Sequence, residues 1–170
     1  AIQCVLLTLR GAVSSRRLIV ALLPRESPPH EGAAALPGGY VHADEDGDLD
    51  ASPRRVLATK LGIAGGSFFV AQLCSVSGTR RDPRGWSASV VYYALVPEAR
   101  LAEGKGRLAP VDELPPLAFD HAAIVARAVE RLRAKTSHSN PPGLPLPETS
   151  TLPELQDAYE PVLGSPTDQR

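Results

Sequence analysis

Three arginines crowd the stretch GTRRDPRG, as Arg80, Arg81 and Arg84. A guanidinium is a planar fork that grips phosphate oxygens in pairs, so this stretch could hold a phosphorylated ligand. The alternative is local: Asp82 stands among them, can pair with a neighbour and shapes a solvated loop with Pro83. Trp86 and Tyr40 offer rings that either stack on a base or pack in the core. Arg25 follows an apolar run. Lys60 ends a helical pattern, where a cation also suits the helix dipole. Asp120 fits a helix cap better than a ligand. Metal chemistry is poorly served, because His30, His42, His121 and His138 share no ligand spacing. Cys4 and Cys74 lie far apart in apolar runs, where cysteine behaves as a small buried hydrophobe.

The elements that must position these groups read as follows. Ile2 to Leu9 and Leu18 to Leu23 are strands, with a turn from Gly11 to Arg17 and a Pro-rich loop from Pro24 to Gly32. Ala33 to Leu36 is a short strand ending at Pro37-Gly38-Gly39, and an acidic loop runs from Asp44 to Asp50. A helix follows, with Ser52 as N-cap, Pro53 at its first position and Gly62 as its stop. Phe68 to Val76 and Ser87 to Val96 are strands joined by the arginine-rich loop. Arg107 to Pro116 is irregular. Asp120 caps a second helix, with Ile124, Ala128 and Leu132 on one face. The composition changes at Lys135, where TSHSNPPGLPLPETS reads as a linker. Beyond it Leu152, Leu155 and Tyr159 fit one face of a short helix that Pro161 ends.

The whole has 170 residues, 43% of them hydrophobic, and a formal net charge of -1, which suits one globular domain with an appendage and exerts no overall pull on nucleic acid. No apolar run approaches the ~20 residues that span a bilayer. The start, AIQCVLLTLR, lacks both an initiator Met and a signal-peptide pattern. A trimmed, cytoplasmic chain is expected.

The segment LPGGYVHADEDGDLDASPRRVLATKLGI resembles a Nudix box: Gly, five residues, Glu, seven residues, then Arg-Glu-U-x-Glu-Glu-x-Gly-U, with U aliphatic. Gly39 and Glu45 match its first part, and Arg55, Leu57, Gly62 and Ile63 its second. The gap from Glu45 to Arg55 is two residues longer than the pattern, around Gly47-Asp48. In such a box the helical carboxylates share one face, hold Mg²⁺ against a pyrophosphate and activate water. Here Val56, Thr59 and Lys60 stand at those positions. An apolar group, a hydroxyl and a cation replace three acids, and Glu45 cannot rebuild the site alone.

Two further segments, RRDPRGWSASVVYYALVP and ELPPLAFDHAAIVARAVERLR, resemble the Nudix-related transcriptional regulators of NAD metabolism. In that family an N-terminal Nudix domain binds ADP-ribose or related nucleotides, and a C-terminal winged helix binds operator DNA. Many members carry a degenerate box with a Lys near its end, as at Lys60. STLPELQDAYEPVLGSPTDQR resembles the opening helix of the winged domain. A winged helix also needs a recognition helix and a wing, so the expectation is either a fragment or a protein that has lost its reader; this last segment is acidic through Glu154, Asp157, Glu160 and Asp168.

The resemblance implies an α/β (α+β) Nudix fold, a mixed sheet sandwiched by helices, over residues 1–135. A linker over 136–150 and an incomplete winged-helix start over 151–170 follow. It implies a nucleotide-sensing domain of a transcriptional regulator, without catalytic residues, metal or cofactor. Arg25, Gly38, Gly39, Lys60, Arg81 and Arg84 are the expected ligand-binding residues, with the Lys60 ammonium replacing part of the missing metal charge. The expected partners are an ADP-ribose-like nucleotide, a second copy in a homodimer, and DNA only where a complete winged helix follows; no membrane is expected. The alternatives are a divergent Nudix hydrolase of ADP-ribose-like diphosphates and an interaction module that kept only the fold.

Overall fold

The computed structural model describes residues 1–12, 15–63, 68–101 and 105–136. Its strands are β1 (Ile2–Arg10), β2 (Arg17–Pro24), β3 (Ala34–Ala35), β4 (Gly38–Gly39), β5 (Phe69–Asp82), β6 (Gly85–Leu95) and β7 (Arg107–Pro110). Its helices are α1 (Ala51–Leu61) and α2 (His121–Thr136). The strands form one sheet in the order β3-β2-β1-β6-β5, with β4 added to β1 and β7 to β2. β1 and β6 run parallel while the other pairs are antiparallel, so the sheet is mixed.

The side-chain alternation of β1 explains why its sequence reads as an almost unbroken apolar run. Val5, Leu7 and Leu9 enter a core with Ile124, Val125, Ala128, Val129 and Leu132 of α2. Ile2, Cys4 and Leu6 enter a second core with Val56, Leu57 and Leu61 of α1. Both faces of the strand are covered, which is when the polar half of a period-2 pattern disappears. Burial also pushes the Cys4 thiol up to about 12, which makes it a packing group. Among the described residues no helix is long and apolar enough to cross a membrane.

Three local expectations need correction. First, α1 begins at Ala51, one residue before Ser52, and Asp50 occupies the N-cap position with no side-chain cap bond. Asp50 accepts instead from the Tyr92 hydroxyl at 2.9 Å, and Asp48 Oδ1 accepts the Ala51 N–H at 2.9 Å. Second, GTRRDPRG is mostly strand: β5 and β6 pair to Asp82↔Gly85, so Pro83 and Arg84 alone make the turn. A register shift between Gly78 and Asp82 absorbs the irregular residues as a bulge. Third, Arg107–Pro110 is a strand because β2 pairs with it from Ile19↔Pro110 to Leu22↔Arg107; this is tertiary pairing that local composition does not encode. The expected linker and winged-helix start fall at residues 137–170, outside the described residues apart from the linker's first residue, Thr136, which closes α2.

The helix stop at Gly62 stands. Its φ of 68° lies in the left-handed region, and its N–H bonds back to Ala58 O at 2.9 Å. Gly62→Ala is expected to cost about 1 kcal/mol, because a Cβ is strained there. Chemical denaturation of the two proteins checks this.

Candidate ligand-binding site

The acidic loop before α1 is tied down by one carboxylate, Asp46, whose side chain is 1% exposed. Arg55 grips it with two forked bonds, Nε to Oδ1 and Nη2 to Oδ2, both at 2.7 Å. The His42 N–H (2.9 Å) and the Ser52 hydroxyl (2.7 Å) donate to Oδ2 as well. The Arg55 hydrogen bonds lead in holding the Asp46 carboxyl well below the usual carboxylate range, against the opposing effect of burial. Ser52 is therefore a buried donor to this anchor. Glu45, the box glutamate by spacing, is exposed and meets His42 Nδ1 at 3.2 Å. Arg55 also donates to Tyr40 O at 2.8 Å, which fixes the backbone where β4 ends.

That backbone borders a cavity of about 580 Å³, within the roughly 300–1,000 Å³ of small-molecule sites. Gly38 and Gly39 form one wall, paired to Gln3 and Ile2 of β1. A Cβ on Gly38 would meet Ile2 O at 2.9 Å, so only glycine lets β4 lie this close. The hairpin of β5 and β6 supplies Arg81, Asp82, Arg84, Trp86 and Ser89, and the approach to α2 supplies Phe119 and His121. Arg25 closes the other side.

The cationic groups are held by partners. Arg81 donates Nε and Nη2 to the two Asp120 oxygens at 2.6 and 3.0 Å, and its Nη1 reaches Val76 O and Ser89 Oγ, each at 3.3 Å. Burial pushes the Asp120 carboxyl up, but Arg81 outweighs this and keeps it low. Arg84 folds back on Asp82, with Nη2 to Oδ2 at 2.7 Å, and these bonds hold the Asp82 carboxyl at about 2. Arg25 donates to Pro29 O (2.7 Å) and Ser27 O (3.1 Å) and lies 4.7 Å over the Phe119 ring.

His121 is buried at 3% exposure. Burial pushes its pKa down to about 4, so the ring is neutral near pH 7. Its Nδ1 accepts the Leu36 N–H at 3.0 Å, so Nε2 carries the proton. The Gln3 amide, 2.9 Å from Nε2, is then best satisfied with its oxygen toward the ring.

The cavity gathers Arg25, Gly38, Gly39, Arg81 and Arg84 from three separate stretches. It does not gather Lys60, which is exposed in the last turn of α1 and is not among the lining residues. Lys60 reads there as a solvated charge at the negative pole of the helix. Gln3, Ser89, Phe119 and His121 are lining residues that sequence reasoning missed. Only LAFDH carried a signal, and only through resemblance. The metal face does not fit Mg²⁺: Val56 is 2% exposed and packed in the apolar core, and Thr59 and Lys60 offer no anionic oxygen.

No protein-family profile matches the chain. Among curated proteins it is 35% identical over 160 residues to the ADPR-responsive transcriptional repressor NtrR of Acinetobacter baylyi, covering 90% of this chain and 63% of that protein. It is 32% identical over 111 residues to an ADP-ribose pyrophosphatase of Methanocaldococcus jannaschii, covering 62% of this chain and 63% of that protein. The chain thus spans 63% of the length of each. Among solved structures it matches NrtR of Shewanella oneidensis with a TM-score of 0.86 and 35% identity, over 98% of this chain and 78% of that one. The Nudix domain of the same protein, solved with ADP ribose, matches with a TM-score of 0.62 and 32% identity, over 77% and 86% of the two chains. Since this likeness in fold and sequence runs through nearly all of the chain and most of the solved NrtR, the chain belongs to the NrtR family, whose Shewanella oneidensis member carries a Nudix domain.

Proposed function

We propose that residues 1–135 form the nucleotide-sensing domain of a transcriptional regulator, with ADP-ribose as ligand and no hydrolytic activity of its own. One observation carries this reading: a nucleotide-sized cavity lined by three arginines lies in a Nudix fold whose metal face is an apolar, buried Val56 followed by Thr59 and Lys60. A diphosphate sequestered without metal needs cationic donors, because an unpaired charge is costly to desolvate. Arg81, Arg84 and Arg25 are the donors we assign, with Gly38 and Gly39 allowing close backbone approach. The relative crystallised with ADP ribose supports the choice of ligand.

The same reading places the protein in the cytoplasm as a homodimer. DNA contact is assigned to a winged helix, whose expected start over 151–170 lies outside the described residues. The solved complex of the Shewanella oneidensis protein with a 27mer DNA supports a DNA partner. The similarity to an ADP-ribose pyrophosphatase favours a second reading, a divergent hydrolase. An assay of ADP-ribose cleavage with Mg²⁺ separates the two: no release of AMP above the EDTA control is expected, and robust EDTA-sensitive release would establish the hydrolase.

A further inference from the structure

Trp86 is 67% exposed and Tyr40 is 72% exposed, the two largest exposed apolar side chains among the described residues. Both line the same cavity. Their placement follows from the sheet. β4 pairs with β1 at Ile2↔Gly39, and β6 pairs with the other edge of β1 at Ile2↔Val90. Tyr40 directly follows Gly39, and Trp86 precedes Val90 on its strand. The two rings therefore rise from the two strands that flank one end of β1. Each is mounted on a fixed backbone. Arg55 holds the Tyr40 carbonyl at 2.8 Å. Asp82 Oδ1 accepts the Arg84 N–H at 2.9 Å and shapes the turn that delivers Trp86.

Leaving two large rings in water wastes apolar area that a folded chain normally hides. The neighbouring chemistry indicates what covers them. Arg84, 59% exposed, stands at the cavity mouth and Arg81, 12% exposed, lies deeper, each paired to a carboxylate that the phosphates of an anionic ligand would displace. A nucleotide joins an anionic group to a flat π-face. We infer that Trp86 and Tyr40 are the base-stacking residues of the site, taking the purine of the nucleotide at the cavity mouth while the arginines take its phosphates. This inference rests on the nucleotide-binding reading above and adds where the base lies and which residues select for it. Stacking is tolerant of base identity because every base presents a π-face. The site should therefore demand a base more strictly than it distinguishes one purine from another.

Trp86 is the single tryptophan of the chain, so its emission reports directly on this contact. The full chain is titrated with AMP, ADP-ribose, ribose 5-phosphate and inorganic pyrophosphate, following Trp86 fluorescence and, in parallel, binding heat. AMP and ADP-ribose are expected to change the emission, while the two base-free probes leave it unchanged even where they bind. Trp86→Ala should weaken AMP binding by tenfold or more, and Trp86→Phe should retain most of the affinity. Because the ring is exposed, the circular dichroism spectrum should not change. The stacking role is overturned if ADP-ribose gives binding heat but leaves Trp86 emission unaltered, or if Trp86→Ala binds AMP as the parent does. It is also overturned if the emission shifts with protein concentration alone, which would mean that a second copy covers the rings. Absence of binding heat for every probe would overturn the nucleotide-binding reading itself and the stacking role with it.

Discussion

Val56→Glu is expected to destabilise the domain by about 3–5 kcal/mol, although it restores the residue that a metal-binding Nudix helix carries there. Val56 is 2% exposed and belongs to the core that contains Ile2, Cys4, Leu6 and Leu57. Its Cγ2 lies 3.5 Å from where a Cβ on Gly39 would stand, so the backbone of β4 closes over it. A carboxylate introduced there would sit desolvated among the apolar side chains of that core. Burial would raise its pKa, so the loss should be greatest above that raised value and shrink as the pH falls and the group is protonated. Mg²⁺ should not restore stability, since Thr59 and Lys60 supply no further anionic oxygen. Denaturation midpoints at two pH values, with and without Mg²⁺, measure this; stabilisation by Mg²⁺ would show that the metal face is intact after all.

Arg81→Ala should weaken ADP-ribose binding by roughly ten- to a hundredfold, the equivalent of about 1.5–3 kcal/mol for one lost charge-assisted contact. The side chain is 12% exposed, deep in the cavity, and in the free protein its two forked bonds go to Asp120. An incoming diphosphate must therefore compete with that carboxylate. Asp120→Asn keeps the shape, removes the competing charge and should bind ADP-ribose as tightly as the parent or more tightly. Calorimetry of both variants separates a guanidinium that meets the ligand from one that only braces the fold. If Arg81→Ala leaves affinity unchanged, the diphosphate lies elsewhere.

Much of the fold is legible in the sequence because its punctuation is local. Gly62 ends α1 in the left-handed conformation that glycine favours, and Ile124, Ala128 and Leu132 fall on the buried face of α2, as their spacing implies. What is not legible depends on partners distant in sequence. Arg107–Pro110 becomes a strand only because β2 lies beside it. Ser52 has the composition of a cap, yet its hydroxyl is taken by Asp46 in the loop before it. The same limit divides the site. Arg81 and Arg84 stand out by charge and Gly38-Gly39 by the turn they signal. Gln3 and His121 look like an ordinary strand glutamine and an ordinary histidine until the fold sets them 2.9 Å apart, though 118 positions separate them in the chain. Lys60 stands apart from them. Its place in the box pattern suggests a role at the diphosphate, but at the exposed end of α1 it stays out of the cavity lining.

The most direct test of a metal-free nucleotide sensor is a calorimetric titration of ADP-ribose into the chain, performed once in EDTA and once in Mg²⁺. With arginines in place of a metal, the dissociation constant should be the same in both buffers, and the nucleotide should be recovered intact. Binding that requires Mg²⁺, or conversion of the ligand to AMP during the titration, would contradict it.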